Sequence, residues 1–280
     1  MSLYLRPGNL QEALDGLAQA PATVAAGCTD LFPATERPAL AGPVLDITAI
    51  AALRGIEETD AGWRIGATTT WSDIARAALP PGFAMLQQAA REVGALQIQN
   101  AGTVAGNLCN ASPAADGVPP LLALDASVEL ATATATRRMP LAGFITGPRA
   151  TALQPGELLT AVHIPRAAGQ GASRFLKLGA RKYLVISIAM VAARIVAEQG
   201  RAAEVALSVG ACGPVATRLP EVEKQLTGLP LAELAAAIDA ETVSAALSPI
   251  DDMRGDAAYR RHAAAELLRR AVAETVEALR

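Results

Sequence analysis

Residues 100–116 read NAGTVAGNLCNASPAAD, and in that run only Val104 and Leu108 are branched apolar side chains. Alanines, asparagines, Gly102 and Gly106 fill most of the rest, and one carboxylate, Asp116, closes it. The run shows neither a helical stripe nor a strand alternation, the two patterns by which a segment commits its side chains to a core. Yet it sits mid-chain in a sequence that is 51% hydrophobic. Small side chains there let another group approach the backbone closely. A second stretch shares the property: the apolar Thr23–Ala26 runs into Gly27-Cys28-Thr29-Asp30, then Leu31 and Phe32, which predicts strand, turn and helix start.

The 280 residues leave room for one large or several small domains. The apolar content is mainly Ala, Leu and Val, with aromatics at 3%, so the core packs through many small side chains. A net charge of −3, with no Lys/Arg run, argues against a nucleic-acid surface. Cys28, Cys109 and Cys212 are odd in number and widely spaced, which speaks against a disulfide framework or a structural zinc and fits a reducing cytoplasm. Three thiols also fall short of the four that hold an ordinary iron–sulfur cluster. The opening MSLYLRPGNLQEALDGLA lacks the layout of a signal peptide, and the apolar run from Tyr183 to Ala193 is too short to cross a bilayer. The expectation is a soluble cytoplasmic protein.

Residues 9–20 predict a helix capped by Asn9, with Leu10, Ala13, Leu14 and Leu17 on one stripe. With strand candidates at Thr23–Ala26 and Pro43–Ile47, the first unit alternates as an α/β layer does. A second unit runs from about Gly55 to Pro165: a strand at Trp63–Gly66, helices at Thr70–Ala78 and Phe83–Val93, a helix or strand at Pro119–Leu124, and strands at Ala126–Ala131 and within Pro155–Pro165. Residues 166–171 read as a linker. Strands near Arg174–Leu178, Ser187–Ile195 and Val205–Val209 follow, then helices over Pro230–Ile238 and Ala257–Leu279, an α+β order.

Two glycine-bearing turns are the candidates for ligand contact, Ala26–Leu31 and Thr103–Asn107. Each can line up backbone N–H groups into an anion-binding concavity, and each can equally be an ordinary turn. Neither is GxGxxG or GxxxxGK[ST]. Asp116 can hold a hydroxyl or cap the segment that follows. Lys177, between Leu176 and Leu178 on a strand, points to the opposite face from its neighbours, a solvated one on this reading. His163 and His262 have no partner motif, and Ser112 and Ser187 have no local base. No nucleophile elbow, HExxH or paired carboxylates occur, so any catalysis needs a bound cofactor.

These residues resemble a known family. Ala26–Leu31 (AGCTDL) resembles the AGGTDL turn in the FAD-binding subunit of molybdenum hydroxylases, a family that includes xanthine dehydrogenase and carbon monoxide dehydrogenase. Residues 99–107 (QNAGTVAGN) resemble its RNxGTIGGN, and 111–116 repeat its ASPAAD. Residues 157–165 match ExLTxxxIP, Lys177 sits in its FxK, and 248–255 with Tyr259-Arg260 resemble SPxDDxRGSxxYR. The resemblance runs from about residue 3 to the C-terminus.

The resemblance implies an α+β chain: a two-subdomain FAD-binding domain of the vanillyl-alcohol-oxidase/PCMH type over 1–170 (subdomains about 1–54 and 55–170), then an α+β domain over 171–280 with an antiparallel sheet and helices. It implies FAD held by Val24, Ala25, Ala26, Gly27, Cys28, Thr29, Asp30 and Leu31 from one side. Thr103, Val104, Ala105, Gly106 and Asn107 would hold it from the other, with Val93, Asp116, Leu159 and Lys177 along the cofactor. Asp116 would bond its ribityl or ribose side, and Leu31 would sit near the ring. No catalytic residue or metal ligand is implied in this chain. The implied partners are a molybdopterin-containing large subunit and a 2Fe–2S small subunit, with NAD or a quinone among possible electron acceptors. A scaffold that has lost FAD, or a stand-alone FAD oxidoreductase, are the alternatives. Two departures stand out: Cys28 and Ala105 each occupy a position where the family commonly has glycine, which would cost on the order of 1 kcal/mol if the backbone there needs positive φ.

Overall fold

The computed structural model describes residues 3–36 and 40–280. Its first sheet is parallel, with β1 (Tyr4–Leu5), β2 (Thr23–Ala25) and β3 (Val44–Asp46) in the order β1-β3-β2. Helix α1 (Leu10–Gln19) crosses from β1 to β2, starting where Asn9 accepts the Glu12 N–H at 3.0 Å. After β2 the chain makes successive turns through Leu31–Ala34 where the sequence predicts a helix start. The i→i−4 bonds Phe32 N–H to Cys28 O and Ala34 N–H to Asp30 O form there without extending into a helix.

The second sheet is antiparallel. It contains β4 (Ile56–Thr59), β5 (Gly62–Gly66), β6 (Ser127–Ala131) and β7 (Thr136–Pro140). After the small hairpin of β8 (Ile145–Gly147) and β9 (Ala150–Thr151), β10 (Leu158–Pro165) returns to the centre, giving β4-β5-β10-β6-β7. Between β5 and β6 lie α2 (Trp71–Arg76), α3 (Ala84–Glu92), α4 (Leu96–Ala101), α5 (Val104–Asn110) and α6 (Val118–Ala123), and α7 (Leu141–Phe144) follows β7. Thr70 and Asp73 close a capping box on α2. The small-residue run thus contains a helix that its pattern hides. Thr103 caps α5, Val104 and Leu108 are buried one turn apart, and Ala111 at φ +47 ends it.

The third sheet, antiparallel, runs β11 (Ala172–Leu178), β12 (Ala189–Glu198), β13 (Arg201–Gly210) and β14 (Thr217–Arg218). Helices α8 (Pro220–Leu226), α9 (Ala240–Ala245) and α10 (Ala257–Ala278) complete the chain. Alternation along β12 decides the packing. Ala189, Val191, Ala193 and Ile195 join the core beneath α10, while Met190 and Ala192 join the core of the preceding residues. A sheet buried on both faces fuses the two halves. For the same reason residues 166–171 are no free linker: Ala168 is buried and Gly169 lies so close to Trp63 that a Cβ would sit 2.4 Å from the ring. The helix expected over Pro230–Ile238 reduces to a 3₁₀ turn, Leu231–Glu233, and further turns. Asp239, extended, caps α9 by accepting the Thr242 N–H at 2.7 Å, and Arg269 takes the Ile238 carbonyl at 2.8 Å, so the helical stripe is cut before it completes.

Candidate functional site: a cleft between two turns

A cleft of about 420 Å³ opens between the first sheet and α5, within the size range of small-molecule sites. The turn after β2, Ala26–Leu31, forms one wall and Thr103, Ala105, Gly106 and Asn107 form the facing one, with Ile47, Ala67 and Trp71 beneath and Val93, Leu158 and Leu159 on the flank.

The two walls meet at Gly27. A Cβ there would stand 1.9 Å from the Ala101 carbonyl oxygen and 2.9 Å from the Gly102 Cα, so this glycine is required for space. The left-handed residue of the turn is its neighbour, Cys28, at φ +56. Its Sγ donates to the Ala26 carbonyl at 3.5 Å, and burial, reinforced by the Asp46 carboxylate, raises its pKa. A reactive thiolate, which the position ahead of a helix start would favour, is therefore opposed by its surroundings. Along Gly27–Leu31, among the described residues, no backbone N–H has a hydrogen-bond acceptor in the protein. All five of these residues line the cleft.

The opposite wall differs. Val104 N–H donates to Thr69 O at 3.0 Å and Ala105 N–H to Ala67 O at 3.2 Å. Gly106 N–H takes Thr103 Oγ1 at 3.1 Å, and Asn107 N–H takes Thr103 O at 3.0 Å. The first turn of α5 therefore offers a ligand none of those four donors, a correction to the expectation that both turns present bare amides. Ala105 is helical and carries no positive φ, so its Cβ costs nothing conformationally. The polar group on this wall is Asn107, whose Oδ1 is buried without a hydrogen-bond partner.

Among the described residues no lysine or arginine lines the cleft, and the carboxylates that do are Asp30 and Glu157. Glu157 is spent on Arg137, through 2.6 and 2.8 Å bonds that hold its pKa below the ordinary range, and on the Gln154 N–H at 2.8 Å.

Of the residues singled out from the sequence, Val24, Ala26, Gly27, Cys28, Thr29, Asp30, Leu31, Val93, Thr103, Ala105, Gly106, Asn107 and Leu159 line this one cleft. Ala25 and Val104 lie on the same elements with their side chains buried. Asp116 and Lys177 stand elsewhere. They bond each other at 2.7 Å, each side chain under a tenth exposed, and neither lines the cleft. Lys177 does point away from Leu176 and Leu178, but the face it reaches is covered by the N-terminal half and is not solvated. Burial raises the Asp116 pKa against the opposing pull of Lys177. His163 is half-buried on Glu129 at 2.9 Å, and His262 lies on α10. The sequence reading missed Trp71, Cys109, Asn110 and Glu157 as cleft residues. Cys109 and Asn110 belong to the small-residue run and Glu157 to ExLTxxxIP, so all three carry a signal. Trp71 carried none: it comes in because Gly117, a Cβ of which would sit 2.2 Å from the indole, makes room for the ring.

Residues 1–167 match the family described as the FAD binding domain in molybdopterin dehydrogenase, and 174–275 match the CO dehydrogenase flavoprotein C-terminal domain. The chain is 30% identical to the xanthine dehydrogenase FAD-binding subunit of Escherichia coli O157:H7, over 98% of this chain and 96% of that one. It is 33% identical to the nicotinate dehydrogenase FAD-subunit of Eubacterium barkeri, over 92% and 88%. Its structure superposes on a chain of reconstituted CO dehydrogenase from Oligotropha carboxidovorans with a TM-score of 0.91 at 28% identity, covering 100% and 99%. Among the described residues no helix is long and apolar enough to cross a membrane.

Proposed function

The chain belongs to the FAD-binding medium subunits of the molybdenum hydroxylases, the xanthine dehydrogenase and CO dehydrogenase flavoprotein type, and we propose that it holds FAD in the cleft between the Gly27–Leu31 turn and α5. In this reading the chain is the electron-transfer subunit of a cytoplasmic complex. Electrons enter from 2Fe–2S clusters on a small partner subunit, fed by a molybdopterin-containing large subunit, and leave for NAD, a quinone or another external acceptor. Bound FAD would supply the step between one-electron and two-electron carriers. The domain division at 1–170 and 171–280, with subdomains about 1–54 and 55–170, is part of the same proposal and is supported by sheet membership.

The residues fit a dinucleotide. The observation that carries the reading is the run of acceptor-less N–H groups over Gly27–Leu31, which can cradle a pyrophosphate as a backbone nest does. Gly27 lets that cradle close against Ala101 and Gly102. With no cation among the described lining residues, the anionic charge would be met by peptide dipoles. Asn107, with an unpaired buried oxygen, is the side chain on the α5 wall that would answer a polar part of the ligand. Val93, Leu158 and Leu159 supply apolar walls that exclude water from one side.

Cys28 is the observation that favours a scaffold without FAD, because a non-glycine residue occupies the left-handed position of the cradle. Its side chain is small and folded back on Ala26, which leaves the cleft open. Co-expression with the genes of the two partner subunits, followed by flavin extraction, tests the proposal: the reading expects one FAD per chain, and a colourless complex that takes up no added FAD overturns it.

A further inference from the structure

The division at residue 170 separates sheets, but it separates neither core nor hydrogen bonds. α6 belongs to the N-terminal half, and all six of its residues are buried. A helix with no water at its ends has to find protein partners there. Pro119 and Pro120 remove two donors at its start. Its carbonyls are met from the third sheet. Ser208 Oγ on β13 donates to the Pro119 carbonyl at 2.6 Å, Arg218 Nη1 on β14 to the Leu122 carbonyl at 2.8 Å, and Arg194 Nε on β12 to the Ala123 carbonyl at 3.4 Å. Three strands thus reach one short helix.

Arg218 carries most of this dock. The same Nη1 donates to Asp125 Oδ1 at 2.6 Å just past the helix, and the guanidinium pairs with Glu223 on α8 through 2.7 and 3.0 Å bonds. Glu223 also takes the Leu207 N–H at 2.7 Å, so the arginine is fixed by α8 and β13 before it reaches α6. Packing follows the same line: a Cβ on Gly210 would stand 2.8 Å from Pro119 Cγ, so helix and strand meet with no side chain between them. Phe175, Met190, Ala192 and Ala206 of the third sheet complete the core that holds Trp63 and Trp71. At its other end α6 leads back to the cleft, because Gly117, immediately before it, gives room to the Trp71 ring beneath the cleft. Without the third sheet, buried carbonyls of α6 would be stranded and this core would stay open.

We propose that α6 is a strut that makes the chain one cooperative unit: the half that holds the cleft is folded only while the third sheet is docked on α6, with Arg218 as the keystone. Weakened packing under α10, on the far side of the sheet, then destabilises the cleft. A ligand in the cleft in turn stabilises the core under α10 by mass action. This second consequence rests on the proposed function, whereas the strut itself exists without cofactor.

The chain carries its own probes. Both tryptophans, Trp63 and Trp71, lie in the N-terminal core, and Cys212, 1% exposed, lies in the core beneath α10. The full chain, with no flavin added, is unfolded in urea. Tryptophan emission reads the first core, and pulse alkylation with mass analysis of the Cys212 peptide reads the second. Coincident midpoints are expected, as for one cooperative unit, and separate midpoints in the wild type overturn the strut. Val272→Ala cuts the core under α10, across the sheet from α6, and is expected to lower both midpoints equally. A fall at Cys212 with a wild-type tryptophan midpoint overturns the single unit. Arg218→Ala is expected to raise the unfolding constant about 10- to 100-fold at both probes, the size of a lost hydrogen bond to a charged group. Wild-type midpoints in that variant overturn the keystone, and Val272→Ala decides the matter should Arg218→Ala fold poorly. Added FAD is expected to raise both midpoints of the wild type. A rise at the tryptophans alone overturns the strut, whereas no rise at either probe overturns the proposed function and leaves the urea result standing.

Discussion

Gly27→Ala tests the cradle at its tightest point. The new Cβ would stand 1.9 Å from the Ala101 oxygen, 2.6 Å from its carbonyl carbon and 2.9 Å from the Gly102 Cα. All three are backbone atoms, so no side-chain rotation relieves the clash. Restoring ordinary contact requires the Ala26–Leu31 turn to move away from α4 by about 1.5 Å. Overpacking of this kind costs about 1–3 kcal/mol of folding stability. The larger effect falls on the ligand. A shift of that size takes amide donors out of hydrogen-bond range of a phosphate, and two such bonds to a charged acceptor are worth about 3–6 kcal/mol together. The expected result is a dissociation constant for FAD raised at least about a hundredfold, read by quenching of flavin fluorescence on titration into the complex. Gly16→Ala serves as the control, since its Cβ would meet nothing closer than Leu5 Cδ1 at 3.9 Å. Wild-type FAD affinity in a folded Gly27→Ala variant would refute the reasoning.

Cys28→Gly and Ala105→Gly should move stability in opposite directions in urea unfolding: glycine at the left-handed position 28 gains up to about 1 kcal/mol, while glycine inside α5 loses about 0.5–1 kcal/mol. FAD affinity should change by less than about threefold between roughly 0.05 and 0.5 M salt, because among the described residues no lysine or arginine lines the cleft for screening to weaken. His163 has its pKa lowered, mainly by burial, with Glu129 opposing and Arg138 and Arg64 assisting. The unfolded chain therefore takes up that proton first, and stability is lost as pH falls from the ordinary histidine value through the folded one. His163→Asn should flatten the pH dependence of the unfolding free energy across that window.

The first turn is legible because a short strand running into Ala-Gly-Cys-Thr-Asp leaves the amides of that turn without partners. The second was misjudged in a specific way. NAGTVAGN advertises small residues, and these do let the walls come together, but its amides are consumed by Thr103, Thr69 and Ala67, two of which lie far away in sequence. Lys177 illustrates the same limit: its strand position announced a polar face, and only the tertiary pairing to Asp116 shows that face to be buried. The stripe in Pro230–Ile238 was genuine, with Leu234 and Ile238 buried, yet the cap at Asp239 outweighed it. Local chemistry thus marked the cleft, whereas long-range partners decided which of its donors remain available.

The central claim is that this cleft holds FAD, and the flavin content of the co-expressed complex tests it most directly. Stoichiometric flavin in the wild type, lost in Gly27→Ala and retained in Ala105→Gly, is the predicted result. A complex that is colourless as purified and stays so after incubation with excess FAD would contradict it.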